Sequence, residues 1–188
     1  SISVLRNNSI YKMTLDEFDV VVRNNLKGTF VPTRFAAVQF RKQRSGRIVN
    51  ITSNSVPIGV WSSNYATASE AIIGLTRTVA RDMGKYGVTC NNICPVSETK
   101  LSTLANTESI AIDADGQKPK TSDDPKNIAA LATFLCTDSI PNVNGYTFGV
   151  SEGTVYLYSN PSIQKSVHKW GTFTIEEIDH IVPKTIGA

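Results

Sequence analysis

Cysteine and histidine are scarce in this chain, and long apolar runs are missing. Of 188 residues, three are Cys and two are His. Cys90, Cys94 and Cys136 form no Cys-x-x-Cys pair, which argues against a disulfide framework or a structural zinc site and for small core residues in a reducing compartment. His168 and His180 lie in the tail and read as surface residues, so no metal is expected. No apolar stretch reaches the roughly 18 residues of a membrane-spanning helix, and the opening SISVLRNNSI lacks signal-peptide architecture. A membrane partner is therefore not expected, and the expected location is cytoplasmic, with a mitochondrial or other organelle matrix as the alternative. The formal charge of +3 is too small and too scattered to imply a nucleic-acid partner, and none is expected. Arg41, Lys42, Arg44 and Arg47 read as a solvated helix end. The first residue is Ser rather than Met, so the chain is read as processed or cut from something longer.

What is present is an alternation of helices and strands. Thr14 followed by Glu17 makes a capping box, with Met13 and Phe18 as a hydrophobic staple, so a helix should begin at Leu15. Its apolar spacing continues to Phe40 through Gly28 and Pro32. The spacing predicts one long helix bent between Asn25 and Pro32, because proline removes a backbone donor, and ended by Ser45-Gly46. Arg47 to Thr52 reads as a buried strand, followed by a loop over Asn54 to Asn64. A helix over Tyr65 to Met83 places Ala68, Ile72, Leu75, Val79 and Met83 on one face, with Gly84 and Gly87 as stop signals. Val88 to Cys94 is a second strand closed by Pro95.

Residues 96–120 are polar and irregular, as expected of a substrate or lid loop. Asp124-Pro125 starts a helix that turns Ile128, Leu131, Ala132 and Leu135 inward. Asn144-Gly145 leads into a third strand, Tyr146 to Val150. Thr174 and Glu177 repeat the first capping box ahead of a tail helix that should stop at Pro183. The pattern implies an α/β fold with a doubly wound parallel sheet, and one domain over 1–188 with its tail over 160–188. Three strands leave a parallel sheet with one edge poorly covered, so missing sequence or another chain should pair with it.

The motifs Asn25-Leu26-Lys27-Gly28, Gly46 to Ser53, Tyr65, Gly74-Leu75-Thr76, Tyr86-Gly87-Val88-Thr89 and Pro95 together resemble the C-terminal two thirds of a short-chain dehydrogenase/reductase. Leu5 to Met13 and the tail His168 to Pro183 are most similar to members acting on 3-oxoacyl or 3-hydroxyacyl thioesters. The resemblance implies a Rossmann-like domain, N-terminally incomplete, and NAD(P)-linked reduction of a carbonyl such as a 3-oxoacyl thioester. It implies Ser53 as hydrogen-bond donor to the substrate oxygen, Tyr65 as general acid or base, and Asn25 as holder of a relay water. Tyr65, Pro95, Val96 and Thr99 would touch the cofactor. The helices around Asn25 and Tyr65 would form the interface of a homo- or hetero-oligomer.

Three departures accompany this resemblance. The family's lysine one helical turn after the tyrosine is Ser69 here, so the cation that favours an ionised phenol is absent, while Glu70 has the opposite sign and is expected to point elsewhere. No Gly-x-Gly occurs anywhere, so the turn that cradles a pyrophosphate has no counterpart. Ser53 precedes Tyr65 by one residue fewer than is usual. The chain is accordingly expected to be impaired as an oxidoreductase. The alternative is a catalytically inactive homologue acting as a structural or regulatory subunit.

Overall fold

The computed structural model describes residues 3–53, 62–95, 125–139, 142–151 and 153–186. The expected loop over 96–120, the capping Asp124, and Val96 and Thr99 lie outside the described residues. Two units divide the chain, Ser1–Tyr158 and Ser159–Ala188.

In the first unit, α1 spans Leu15–Val21, and its capping box is formed as the sequence implied, with Thr14 and Glu17 bonded reciprocally. The bend expected between Asn25 and Pro32 coincides with a π-helical turn, Val22–Lys27, in which the Gly28 N–H reaches back to the Arg23 carbonyl. Side chains stabilise this turn by taking carbonyls: Asn24 Nδ2 donates to Val20 O at 2.6 Å and Thr29 Oγ1 to Asn25 O at 2.8 Å. Proline is thus not where the register changes. Helix α2, Gly28–Gln43, contains Pro32 within it and ends at Arg44 in the left-handed conformation.

Four strands make one sheet in the order β1, β2, β3, β4: Gly46–Ile51, Val88–Pro95, Thr147–Ser151 and Thr154–Leu157. β1, β2 and β3 are parallel, with Gly46 beside Val88 and Asn92 beside Thr147. The fourth strand was not foreseen. It returns antiparallel through Gly153 at positive φ, and Tyr156 lies over Gly149, where any side chain would collide with its ring. β4 covers one of the two sheet edges. No described strand pairs with the other edge, along β1.

Helix α3, Ser63–Gly84, begins two residues before the expected start and is followed by Gly87 at φ 73°. Its buried residues are Asn64, Ala68, Ser69, Ile72, Thr76, Ala80 and Met83. That face is rotated toward small and polar residues from the expected one, because Leu75 and Val79 are only half-buried. One core packs Ala80 and Met83 of α3 against Ile48, Val88 and Cys90. On the opposite face, α4, Pro125–Leu135, places Leu135 against Ile93 and Val150, with Ile128, Leu131 and Ala132 alongside as expected.

In the second unit, α5 spans Ile175–Thr185 behind a formed Thr174–Glu177 capping box. Lys169 donates to Glu177 Oε1 at 2.6 Å, and this ammonium, then the Thr174 backbone, holds the Glu177 carboxyl below its ordinary value. Pro183 does not stop the helix as expected. It sits in the last turn, where one donor is forfeited, and Thr185 Oγ1 to Ile181 O and Ile186 N to Val182 O carry the helix past it.

Burial pushes the Cys90 thiol up to about 12 from 9.0, against a smaller opposing effect of its hydrogen bond with Thr76. A raised pKa means the folded state holds the proton longer, so this stability is complete below pH 9 and is lost as pH rises toward 12. A rise of that size sets an upper limit of roughly 4 kcal/mol on the effect. Cys90→Ala should therefore flatten the alkaline limb of a urea-stability profile above pH 9; an unchanged slope would show that the thiol does not titrate on unfolding.

Candidate active-site rim

The depth of each residue along the sheet is set by one buried contact. Asn50 of β1 donates through Nδ2 to Thr76 Oγ1 of α3 at 2.9 Å, and Thr76 Oγ1 donates in turn to Ile72 O. Ala80 and Met83 pack beside Val88 and Ile48, so α3 runs antiparallel to β1 and its first turns reach the strands' carboxyl ends. At 1.5 Å per helical residue Ser69 lies about 10 Å from Thr76, and at 3.3 Å per strand residue Ser53 lies about 10 Å from Asn50. Position 69 is thus level with Ser53, and Tyr65 stands one turn beyond.

Thr52 and Ser53 have different fates. Thr52 is buried: its N–H donates to Ile93 O at 2.9 Å, its hydroxyl lies 3.1 Å from Cys94 Sγ, and Asn92 Nδ2 donates to it at 3.2 Å. Ser53, next along, is half-buried. Among the described residues the Ser53, Tyr65 and Ser69 hydroxyls have no hydrogen-bond partner, and Ser53 and Tyr65 are half-buried. Ser69 is 5% exposed. Pro95 closes β2 beside Val150, as the sequence implied.

The first turn of α3 is held by a polar clasp that sequence reasoning missed. Its capping residue Ser62 makes no side-chain cap and instead donates to Asn7 Oδ1 at 3.0 Å. Asn64, fully buried, substitutes for the cap: Oδ1 accepts from the Tyr65 N–H at 2.7 Å, and Nδ2 donates to Arg6 O at 3.0 Å and Glu17 O at 3.1 Å. Asn25 grips the same incoming segment, accepting from Val4 N at 2.8 Å and donating to Val4 O at 3.0 Å. The readable signal was an asparagine immediately before Tyr65, a residue type that favours helix starts.

One carboxylate, Glu70, contributes electrostatically at this end of the sheet. Burial pushes the Cys94 thiol above its ordinary value; hydrogen bonds from Thr52 and Asn92 oppose this, and the Glu70 carboxylate adds to it. Glu70 itself is exposed, while its neighbour Ser69 is buried. A buried serine stands level with Ser53, one turn from Tyr65, where the resemblance implies a lysine. Among the described residues no cluster could hold a metal ion, and no helix is long and apolar enough to cross a membrane.

The family described as enoyl-(acyl carrier protein) reductase matches residues 1–155. The chain belongs to the short-chain dehydrogenase/reductase family. A hydroxyacyl-CoA dehydrogenase of Mycobacterium tuberculosis is 33% identical over 90% of this chain and 55% of its own length. A 3-oxoacyl-[acyl-carrier-protein] reductase of Synechocystis is 33% identical over 81% of this chain and 62% of its own. Among solved structures, a short-chain dehydrogenase from Mycobacterium avium superposes with a TM-score of 0.80 at 26% identity, covering 100% of this chain and 63% of that one. The chain therefore spans a little over half the length of these curated relatives. Family membership and the α/β Rossmann-like fold agree with the sequence reading.

Asn64→Ala would leave two part-buried carbonyls and a helix-start N–H without the Asn64 side chain, a loss of about 2 kcal/mol. Urea unfolding should show that loss, and hydrogen exchange should show faster exchange at the Tyr65 amide. A loss under 0.5 kcal/mol with unchanged exchange would contradict the clasp.

Proposed function

We propose that this chain carries the carbonyl-binding part of a short-chain oxidoreductase, for a substrate such as a 3-oxoacyl thioester, and that it does not complete NAD(P)-linked reduction as it stands. The observation that carries this reading is the buried Ser69, one turn from Tyr65 and level with Ser53. Ser53 and Tyr65 can each donate a hydrogen bond to a substrate carbonyl oxygen, which orients and polarises it. Transferring a proton asks more of Tyr65, because a nearby cation is what favours the ionised form of a phenol. Serine supplies no charge, and Glu70 supplies the opposite one. The thioester reading draws support from the 3-oxoacyl and hydroxyacyl relatives.

A second reading, a non-catalytic subunit of an oligomer, is favoured by α2, where Phe35 is 64% and Val38 50% exposed a turn apart. A short-chain oxidoreductase fold kept for assembly would use that face.

Two measurements separate the readings. Acetoacetyl-CoA should bind the chain, and Ser53→Ala and Tyr65→Phe should each weaken binding about fivefold, the equivalent of one hydrogen bond of about 1 kcal/mol. Absorbance at the reduced-nicotinamide band, with NADH or NADPH present, should not change. Cofactor-dependent turnover by the unaltered chain would overturn the claim of impairment. Failure to bind the thioester would overturn the claim of a carbonyl site and leave the subunit reading.

A further inference from the structure

We infer that Asn144 is a deamidation site whose modification is confined to an opened state of the chain and, once made, prevents that opening from reclosing. Asn144-Gly145 is the only Asn-Gly pair in the sequence. In such a pair succinimide formation is fastest, because glycine leaves the attacking nitrogen unhindered. The fold needs both residues. Gly145 stands at φ 84°, a left-handed conformation that side chains disfavour, and a Cβ there would lie 3.3 Å from Ala80 Cβ of α3. Asn144 bridges two elements: Oδ1 accepts from the Cys90 N–H of β2 at 2.8 Å, and Nδ2 donates to Ala80 O at 3.0 Å.

Ring closure requires the Gly145 backbone nitrogen to reach Asn144 Cγ, and the native contacts tie up both groups. Cys90 grips each of them: its N–H bonds the Asn144 carboxamide, and its carbonyl accepts the Gly145 N–H at 2.9 Å. The flanking residues are pinned as well. Asn91 Nδ2 donates to Val143 O at 2.9 Å, Asn91 Oδ1 accepts from Tyr146 N at 3.1 Å, and Tyr146 O accepts from Asn92 N at 2.8 Å. Residues 143–146 are thus fastened to β2 and α3, and the reaction must wait for local opening of this segment.

In the opened state the Gly145 nitrogen, losing its proton to solvent, attacks Asn144 Cγ. The new N–C bond expels the side-chain nitrogen as ammonia, and water then opens the succinimide to aspartate or isoaspartate. Neither product restores the contact. Aspartate turns an oxygen toward Ala80 O, where Nδ2 donated, and brings a negative charge to the last turns of α3, the negative end of that helix. Isoaspartate adds a carbon to the main chain just ahead of β3, which displaces Tyr146 and Thr147 from Asn91 and Asn92. A chain that reacts here is removed irreversibly, so its operational lifetime follows the opening of this segment rather than overall stability alone.

The test holds the 188-residue chain in mildly alkaline buffer, with and without urea above its unfolding midpoint, and maps deamidation by peptide mass analysis. Modification at Asn144 should be roughly tenfold or more slower without urea, and the Gly145 amide should be slow in native hydrogen exchange. After dilution from urea, the fraction that fails to refold should rise with the fraction modified at Asn144. Asn144→Ser keeps an acceptor for the Cys90 N–H and has no side-chain amide to lose, so its refolding yield should not fall with time in urea. If Asn144→Ser does not fold, the refolding of the unaltered chain decides. Equal rates with and without urea, no modification at Asn144 in urea, a fast-exchanging Gly145 amide, or full refolding of the modified chain would each overturn the proposal. None of these outcomes depends on catalytic activity, so they stand apart from the reading of the hydroxyl rim.

Discussion

The side-chain amide of Asn50 is the contact on which the arrangement of this molecule depends. It accepts from Thr33 Oγ1 of α2 at 3.4 Å, donates to Thr76 Oγ1 of α3 at 2.9 Å, and lies 3.7 Å from Cys90 Sγ of β2. One buried group thereby ties two helices and two strands. Apolar packing alone would let α3 slide along the sheet by a turn at modest loss, since Ala and Ile side chains accept many registers. A directional bond does not, and in a low-dielectric interior a polar group left without its partner is penalised. The height of Ser69 and Tyr65 above the strand ends follows from that register. The clasp of Asn64 and Asn25 on Val4 and Arg6 then fixes the first turn.

Much of this was legible in the sequence, for reasons that differ between elements. The two Thr–Glu capping boxes and the core face of α4 follow local rules and appear where those rules place them, while Ile51 of the strand read as buried is 44% exposed. The π-helical turn was not legible as such, because Asn24 and Thr29 take carbonyls within a segment whose apolar spacing reads as continuous helix. β4 escaped because its exposed Val155 and Leu157 leave no buried alternation to read. The inward face of α3 was drawn through Leu75 and Val79 by hydropathy, whereas small and polar residues, Ser69, Thr76 and Ala80, allow the helix to approach the sheet closely. Polar core positions of this sort are set by partners distant in the chain, such as Asn50 for Thr76, and spacing cannot reveal them.

The candidate site divides along the same line. Ser53, Tyr65 and Ser69 were identified from motif and helix geometry, and the structure sets all three toward one end of the sheet. What the motif could not supply is the environment: Thr52 turned inward to Asn92 and Cys94, Asn64 replacing the helix cap, and the Glu70 charge felt at Cys94. The fold of a short-chain oxidoreductase is thus present with its hydroxyls, and a serine stands one turn after Tyr65 where the resemblance implies a lysine.

The claim that a polar register, more than apolar packing, positions this rim is tested most directly by Asn50→Ala, followed by urea unfolding. Removing the amide leaves the buried Thr33 hydroxyl without its acceptor and Thr76 Oγ1 with only its bond to Ile72 O, and the expected loss is about 2 kcal/mol, with faster amide exchange in the first turns of α3. A loss under 0.5 kcal/mol, with those amides unchanged, would contradict the account.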